Sequence, residues 1–135
     1  MTTKPHPAPI TLYGIANCDT VKGARQWLDD HAIAYTFHDF KKTGVPTDRL
    51  DHWLLALGWE ALLNRRGTTW RKLAAAAQAS VTDTASAKAL MLDHHSVIRR
   101  PVVECLDKVT VGFAPDQWRE KYLPSVYQDV NASGR

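Results

Sequence analysis

Hydrophobic and polar residues follow one another near the start of the chain in a pattern that predicts a strand, a helix and a second strand. Residues 10–13 form a short β-branched and aromatic run, which is typical of a strand. Apolar residues then recur at helical spacing over residues 19–31, with Val21 and Leu28 on one face. Residues 34–40 alternate aromatic and polar side chains, as a half-buried strand does. Short connections between the three elements favour a right-handed βαβ unit with parallel strands.

A helix is predicted soon after the second strand. Residues 41–45 are expected to form a loop, and Pro46 then opens the helix. Thr47 or Asp48 is expected to accept hydrogen bonds from the unpaired amides of its first turn. The apolar spacing of this helix continues until Gly58.

The rest of the middle of the chain is also helical in pattern. Residues 59–63 can add one turn, and residues 64–69 then break the apolar spacing. Residues 70–79 are rich in alanine and permit a helix, and residues 81–93 predict another. The pattern therefore predicts three helical segments between the second strand and the third.

The last part of the chain predicts a hairpin followed by a helix. The β-branched runs at residues 102–106 and 109–113 flank a polar pair, Asp107 and Lys108, which predicts an antiparallel hairpin with its turn at that pair. Residues 114–122 then predict a final helix.

The order βαβ, helices, hairpin and helix predicts an α/β domain with a thioredoxin-like fold and a mixed four-stranded sheet. The domain is expected to span residues 9–124, with the inserted helices at about residues 46–95. Residues 1–8 are predicted to be a disordered lead-in and residues 125–135 a flexible tail. Pro101 supports the assignment because this fold places a cis-proline opposite its active-site cysteine, and cis peptide bonds are essentially confined to proline.

Composition narrows the classes of function. The chain has 135 residues, of which 44% are hydrophobic and 23% charged, as in a globular domain and unlike a disordered or fibrous chain. No apolar run approaches the length of a transmembrane helix, and no secretion signal is visible, so we expect a cytoplasmic protein with free thiols and no membrane partner. A net charge of +3 suits a small anionic substrate and does not indicate direct nucleic-acid binding. The histidines show no metal-binding spacing, so no metal site is expected.

The candidate nucleophile is Cys18, because it stands at the start of the first predicted helix. Unpaired amides and the helix dipole favour a thiolate there, as does the nearby cation of Lys22, whereas the carboxylate of Asp19 opposes it. Thr20 is expected to support the thiolate. The alternative is that Cys18 is a small buried apolar residue, which is the interpretation we favour for Cys105 on its predicted central strand.

Three motifs then resemble a known family. They are YGI-x-x-CDT at residues 13–20, NRRGTT at residues 64–69 and RP at residues 100–101. Together with the intervening pattern, over about residues 10–123, they resemble the ArsC-like arsenate reductase family and, within it, the Spx/YffB branch. The resemblance implies a thioredoxin-like fold with an inserted helical bundle, a nucleophilic Cys18 and glutathione as co-substrate, with no bound cofactor.

The resemblance also implies an arginine clamp for an oxyanion. The arginine before the proline falls on Arg100, and a second falls at Asn64 or Arg65 according to register. The third would fall near Phe113, where no arginine is present. Losing part of the clamp removes bidentate contacts to a tetrahedral anion, so little arsenate turnover is expected. The expected substrate-binding residues are Asn17, Thr20, Lys22, Arg65, Arg100 and Pro101.

The expected function is therefore that of a glutathione-dependent thiol oxidoreductase with a single nucleophilic cysteine. The residue three positions after Cys18 is Val21, so no Cys-x-x-Cys disulfide can form, and an external glutathione would have to complete the cycle. Two alternatives remain. One is arsenate reduction, with glutaredoxin as the coupled partner; the other is a non-enzymatic, Spx-like regulator that binds RNA polymerase.

Overall fold

Four strands form one mixed sheet within residues 10–123, the part of the chain that the computed structural model describes. The strands are β1 (Ile10–Gly14), β2 (Thr36–Asp39), β3 (Val102–Cys105) and β4 (Lys108–Val111), and their order in the sheet is β2-β1-β3-β4. β1 is parallel to β2, and β3 is antiparallel to both β1 and β4. The predicted mixed four-stranded sheet is confirmed, as are its parallel unit and its hairpin. The predicted lead-in and tail lie outside the described residues.

Helices cover both faces of the sheet. Their bounds are α1 Asp19–Asp30, α2 Phe40–Thr43, α3 Thr47–Leu57, α4 Trp59–Leu62, α5 Thr68–Lys72, α6 Ala75–Ala79, α7 Thr84–Asp93, the 3₁₀ turn η1 His95–Val97, and α8 Pro115–Tyr122. Side chains of α1 and α8 share one apolar cluster with Leu12, whereas side chains of α3, α4 and α7 share another with Tyr13. Because neighbouring residues of a strand point to opposite faces, the sheet has a hydrophobic core on each side. This is the predicted thioredoxin-like arrangement with inserted helices.

The inserted region differs from the prediction in its first two elements. Residues 41–45 are not all loop, because Asp39 accepts a hydrogen bond from the Lys41 amide at 2.9 Å and so caps the single turn α2. Neither Thr47 nor Asp48 caps α3. The cap position is Pro46, and no side chain makes a capping bond there, since both residues already lie inside the helix.

Residues 70–79 form two short helices in place of the predicted single one. The chain is extended at Leu73 and Ala74, and α6 begins only after this break. The Gln78 side chain donates a hydrogen bond to the Trp70 carbonyl at 2.8 Å and closes the corner between the two helices. Short alanine-rich helices have little stability of their own, so such tertiary contacts decide where they end.

The hairpin turn lies one residue earlier than predicted. Cys105 pairs with Lys108, so the turn residues are Leu106 and Asp107. The register places Glu104 opposite Val109, and both are buried. A shift by one residue would expose this inward-facing pair, and burial therefore overrides the preference of the turn sequence.

A close contact fixes α1 against the end of β1. A Cβ atom built on Gly14 would lie 2.8 Å from Cγ2 of Val21, which is closer than carbon atoms approach without displacement. Only glycine lets the first turn of α1 pack this tightly onto the strand. The position of Cys18, one turn earlier, depends on this contact.

Candidate functional site

The candidate site lies at the edge of the sheet where β1 and β2 end. Tyr13 pairs with Val102, so Pro101 lies beside Gly14 at that edge, and the Arg100–Pro101 peptide bond is cis. The Gly112 amide donates to the Pro101 carbonyl at 2.9 Å, which brings the end of β4 to the same edge. The chain leaving β1 reaches Cys18 only four residues after Gly14. The topology thus places Cys18 and Pro101 at one end of the sheet.

Cys18 occupies the N-cap position of α1. Its backbone is extended (φ −148°, ψ 123°), and its carbonyl accepts the first helical hydrogen bond from the Lys22 amide at 2.8 Å. The thiol makes no capping bond, and the side chain is half-buried against the apolar clusters of both faces. A sulfur atom in this position is reachable from solvent and lies at the positive end of a helix of twelve residues.

The other predicted residues around Cys18 are exposed. Asn17, Thr20 and Lys22 present their side chains to solvent around the first turn of α1. They are free to contact a substrate that approaches the sulfur, and their role in binding stays a prediction.

A cleft of about 390 Å³ opens beside this edge. It is lined by Ala61, Asn64, Arg99, Arg100, Val111 and Gly112. Arg100 was predicted to bind substrate, but Arg99 was not singled out by its sequence. The lining contains two guanidinium groups and no carboxylate, so an anion is the ligand that it favours.

Two backbone hydrogen bonds hold the sides of the cleft together. The Asn64 amide donates to the Val97 carbonyl at 2.7 Å, and the Arg99 amide donates to the Leu62 carbonyl at 2.9 Å. They form a short antiparallel bridge between the inserted helices and the segment that leads into β3. This bridge sets the Asn64 side of the cleft opposite the arginines.

Arg100 is held in place and keeps hydrogen-bonding capacity. Its Nη1 donates to the Ser96 carbonyl at 3.2 Å, while its Nε atom is buried and has no hydrogen-bond partner among residues 10–123. A buried donor without a partner is costly, so this nitrogen is a point of strain beside the cleft.

His95, on the adjoining turn η1, stays neutral near pH 7. Burial, and after it the cations of Arg100 and Lys41, lower the pKa of the imidazole below its ordinary value. The positive charge on this side of the cleft therefore belongs to the arginines.

Two positions of the expected arginine clamp carry other side chains. The Arg65 guanidinium lies 5.4 Å from the centre of the Trp59 ring and is not part of the cleft lining, whereas Asn64 is. Phe113 packs against Gly23 of α1 and against Trp118, whose ring centre is 4.9 Å away. Of the two residues to which the second arginine position was assigned, Asn64 lines the cleft and Arg65 does not, while substrate binding by Arg65 stays a prediction.

The second cysteine lies at the opposite end of the sheet. Cys105 pairs with Ile10, four residues before Gly14 on β1, and this separation corresponds to about 13 Å along the strand. Burial raises the pKa of the Cys105 thiol, although the cations of Lys121 and Lys108 partly offset this effect. A disulfide requires Cα atoms within about 7 Å, so Cys105 cannot resolve an adduct on Cys18 without rearrangement of the sheet.

A buried carboxylate on β3 was missed by sequence reasoning. Glu104 accepts hydrogen bonds from Tyr13 Oη and from Trp53 Nε1, each at 2.8 Å, and it pairs with the guanidinium of Arg49. Burial by itself would raise the pKa of Glu104, but the bonds from Arg49, Tyr13 and Trp53 hold it below its ordinary value. Burial and the bond to Glu104 raise the pKa of Tyr13 above its usual range. The sequence feature that could have indicated it is a glutamate within a run of β-branched residues.

No helix among residues 10–123 is long and apolar enough to cross a membrane. No group of three or more His, Cys, Asp or Glu side chains in the same range is arranged to hold a metal ion.

Comparisons with known proteins assign the family. The model of the ArsC family matches residues 13–121, and the chain belongs to that family. A solved structure named YffB is 47% identical, has a TM-score of 0.80, and is matched over 84% of this chain and 98% of its own. A solved arsenate reductase (ArsC) related protein from Brucella melitensis is 48% identical, with a TM-score of 0.70, over 90% of this chain and 100% of its own. The global transcriptional regulator Spx of Streptococcus agalactiae is 27% identical, over 88% of this chain and 86% of that protein.

Proposed function

We propose that this ArsC-family chain is a glutathione-dependent thiol oxidoreductase that acts through a single cysteine, Cys18. The observation that carries the proposal is the position of this sulfur: half-buried at the N-terminus of α1, at the same sheet edge as the cis-Pro101 peptide. Helix N-termini are among the environments that favour the nucleophilic form of a thiol. The adjoining cleft adds the guanidinium groups that an anionic thiol such as glutathione needs.

The reaction follows two balanced thiol–disulfide exchanges. In the first, the Cys18 thiolate attacks one sulfur of a glutathione-containing disulfide, so that a Cys18–glutathione bond forms and the other thiolate leaves. In the second, a glutathione thiolate attacks the glutathione sulfur of this adduct, which releases glutathione disulfide and restores the Cys18 thiolate. Glutathione is the reductant, and two electrons pass from it to the substrate disulfide.

The absence of a nearby second thiol supports this route. The residue one turn after Cys18 is Val21, which is buried against Gly14, and Cys105 lies at the other end of the sheet. An internal disulfide would require the sheet to open. An external thiol is therefore the available resolving group.

Arsenate reduction uses the same nucleophile but is less well supported. A tetrahedral oxyanion is bound best by several bidentate arginines. Asn64 lines the cleft where Arg65 does not, and the apolar Phe113 stands near the third position for which the family resemblance implies an arginine. We therefore expect little arsenate turnover in an assay coupled through NADPH and glutaredoxin.

The test of the proposal is to find where glutathione attaches. The protein is incubated with glutathione disulfide, and its peptides are mapped by mass spectrometry. The expected result is an adduct of one glutathione on Cys18, which disappears on addition of reduced glutathione and is absent from Cys18→Ser. Cys105→Ser is the matched control and should form the adduct at the wild-type rate. An unmodified Cys18, or modification at Cys105 instead, would contradict the proposal.

The similarity to Spx favours a second candidate, a transcription-linked binding protein without catalytic activity. It is tested by a pull-down with RNA polymerase, using the wild-type protein and Cys18→Ser. Retention of the polymerase by both proteins, together with the absence of a glutathione adduct, would favour this candidate over the oxidoreductase.

A further inference from the structure

We propose that Arg99, with Arg100, makes the cleft a carboxylate site that selects acidic disulfides over neutral or basic ones. The inference rests on the proposed function, because it names the substrate class that Cys18 meets. Arg99 is a specificity residue in this proposal and takes no part in bond making or breaking.

The first support is the chemistry of the cleft lining. Arg99 is exposed and lines the cleft beside Arg100, whose buried Nε has no hydrogen-bond partner among the described residues. Asn64 adds an amide on the facing side. Adjacent guanidinium groups offer forked donors that match the two oxygens of a carboxylate. A cationic ligand would meet two like charges there and no carboxylate.

The second support is that the cleft is held firmly open. The amide of Arg99 is bonded to the Leu62 carbonyl and that of Asn64 to the Val97 carbonyl, so the backbone on both sides is fixed. A site whose walls are already ordered loses less conformational freedom when a ligand binds.

The third support is the distance between the cleft and the sulfur. Gly112 lines the cleft at the end of β4, and Cys18 follows the end of β1, with β3 between them. Two strand spacings separate the ends of β1 and β4 by about 10 Å, and Cys18 stands four residues beyond the end of β1. A peptide with its sulfur in the middle residue extends about 3.5 Å per residue to either side, and a γ-linked glutamate adds the length of its side chain. A terminal carboxylate of such a peptide can therefore reach the cleft while its sulfur is at Cys18.

The test is a series of disulfides that differ in charge. Glutathione disulfide is acidic, bis(2-hydroxyethyl) disulfide is neutral and cystamine is basic. The rate of Cys18 modification by each is followed by mass spectrometry at 0.15 M ionic strength, where charges more than about 8 Å apart are largely screened. For the wild-type protein we expect the order acidic, then neutral, then basic.

The variant Arg99→Gln should slow the reaction with glutathione disulfide by about tenfold, the effect of losing one charge-assisted contact. Its rate with the neutral disulfide should stay within twofold of wild type. Arg71→Gln removes the same charge from an exposed position on α5, outside the cleft, and should leave all three rates unchanged. Arg99→Lys should lie between wild type and Arg99→Gln with the acidic disulfide, because it keeps the charge and loses the fork.

Two outcomes would overturn the inference. One is an Arg99→Gln protein that reacts with glutathione disulfide at the wild-type rate. The other is an equal loss of rate with the acidic and neutral disulfides, which would mean that Arg99 affects Cys18 itself.

A binding measurement separates this inference from the proposed function. S-methylglutathione cannot form a disulfide, and its binding to Cys18→Ala is measured by calorimetry with and without the Arg99→Gln change. Loss of binding with Arg99→Gln supports the carboxylate site even if Cys18 proves unreactive in the wild type. Equal binding with and without the change overturns the carboxylate site and leaves the chemistry of Cys18 untouched.

Discussion

The two cysteines of this chain have the same side chain and opposite surroundings. Cys18 begins a helix at the edge of the sheet where two parallel strands end, and Cys105 lies within a central strand at the other end. Both are half-buried, so exposure alone does not distinguish them. What differs is that Cys18 lies at a helix N-terminus beside a cationic cleft, whereas burial raises the pKa of Cys105. We therefore expect the backbone that carries each sulfur to set its reactivity.

The largest expected effect is a direct contrast between the two thiols. In the native protein at pH 7, iodoacetamide should modify Cys18 about 100 times faster than Cys105, since Cys105 is held as the thiol within a paired strand. Peptide mapping of quenched samples measures both rates. In 6 M guanidinium chloride the two rates should become nearly equal, because an unfolded chain exposes both thiols to solvent. Equal rates in the native protein would remove the contrast.

The second expected effect comes from the carboxylate that anchors β3. The Glu104 carboxylate accepts hydrogen bonds from three side chains, and Glu104→Gln replaces it with a neutral amide. This change should lower the free energy of unfolding by about 2 kcal/mol. The Arg49 side chain is partly exposed. Leaving its guanidinium without a partner therefore costs less than leaving a fully buried charge without one. Urea unfolding measures the change. Hydrogen exchange of the amides that pair β3 with β1 and β4, which requires these strands to open, should become faster by up to about 30-fold.

The contribution of Glu104 should also depend on pH. Its folded pKa lies below the ordinary value of 4.5, so the stability it supplies is present above that pH and is lost as pH falls through the folded pKa. The difference in melting temperature between wild type and Glu104→Gln should be constant between pH 7 and about pH 5.5 and should shrink below about pH 4.5. A difference that grows in acid would show that the carboxylate does not act through this pairing.

The third expected effect concerns the end of the sheet near Cys18, where α1 packs against β1. Gly14→Ala places a methyl group 2.8 Å from Cγ2 of Val21, so α1 must shift away from β1. We expect a loss of about 1–2 kcal/mol in unfolding free energy. Cys18 should also react several-fold more slowly with glutathione disulfide, because its helix start moves.

Val21→Ala in the Gly14→Ala background is the matched control for this contact. It removes the methyl groups that collide and should restore the rate of Cys18, although it leaves the protein less stable than wild type because a buried valine is lost. Failure to restore the rate would mean that the spacing between α1 and β1 does not set the reactivity of Cys18.

The smallest expected effect concerns Arg65. Its guanidinium lies over the Trp59 ring and outside the cleft lining, so Arg65→Gln removes no contact to a ligand in the cleft and should change the KM for glutathione by less than about twofold. Arg100→Gln, measured in the same assay, should raise it by about tenfold. If the two variants behave alike, Arg65 reaches the substrate and the cleft is larger than its lining residues indicate.

Local patterns were sufficient to predict most of the fold. The βαβ unit, the start of α1 at Cys18, the helix that ends at Gly58 and the hairpin all depend on spacings and breaks within a few residues. The errors fall where local preference is weak. The alanine-rich stretch divides at Leu73 because nothing local holds it together, and the hairpin turn moves by one residue because Glu104 must stay inside. Burial decided the hairpin register, and the Gln78 bond to the Trp70 carbonyl closes the corner of the alanine-rich stretch.

The candidate site could be predicted only in part. Cys18 was predicted because it stands at a helix start, and Arg100 because the family resemblance places an arginine before the proline. Arg99 was not among the predicted binding residues, because the cleft that it lines with Asn64 forms only where two backbone hydrogen bonds join their segments. The sequence did not show whether Asn64 or Arg65 lines the cleft. The two residues are neighbours in a loop, where packing sets the direction of each side chain.

By itself the sequence determined the elements, their order and the helix that begins at Cys18, because hydrophobic spacing and capping act over a few residues. Only the tertiary structure decided which arginines share a cleft. It also decided which side chains donate hydrogen bonds to the Glu104 carboxylate. The partners of Glu104, Tyr13 and Trp53, are 91 and 51 residues away along the chain. Such pairs meet only after the sheet and the inserted helices have packed, and this packing depends on the whole core rather than on any single segment.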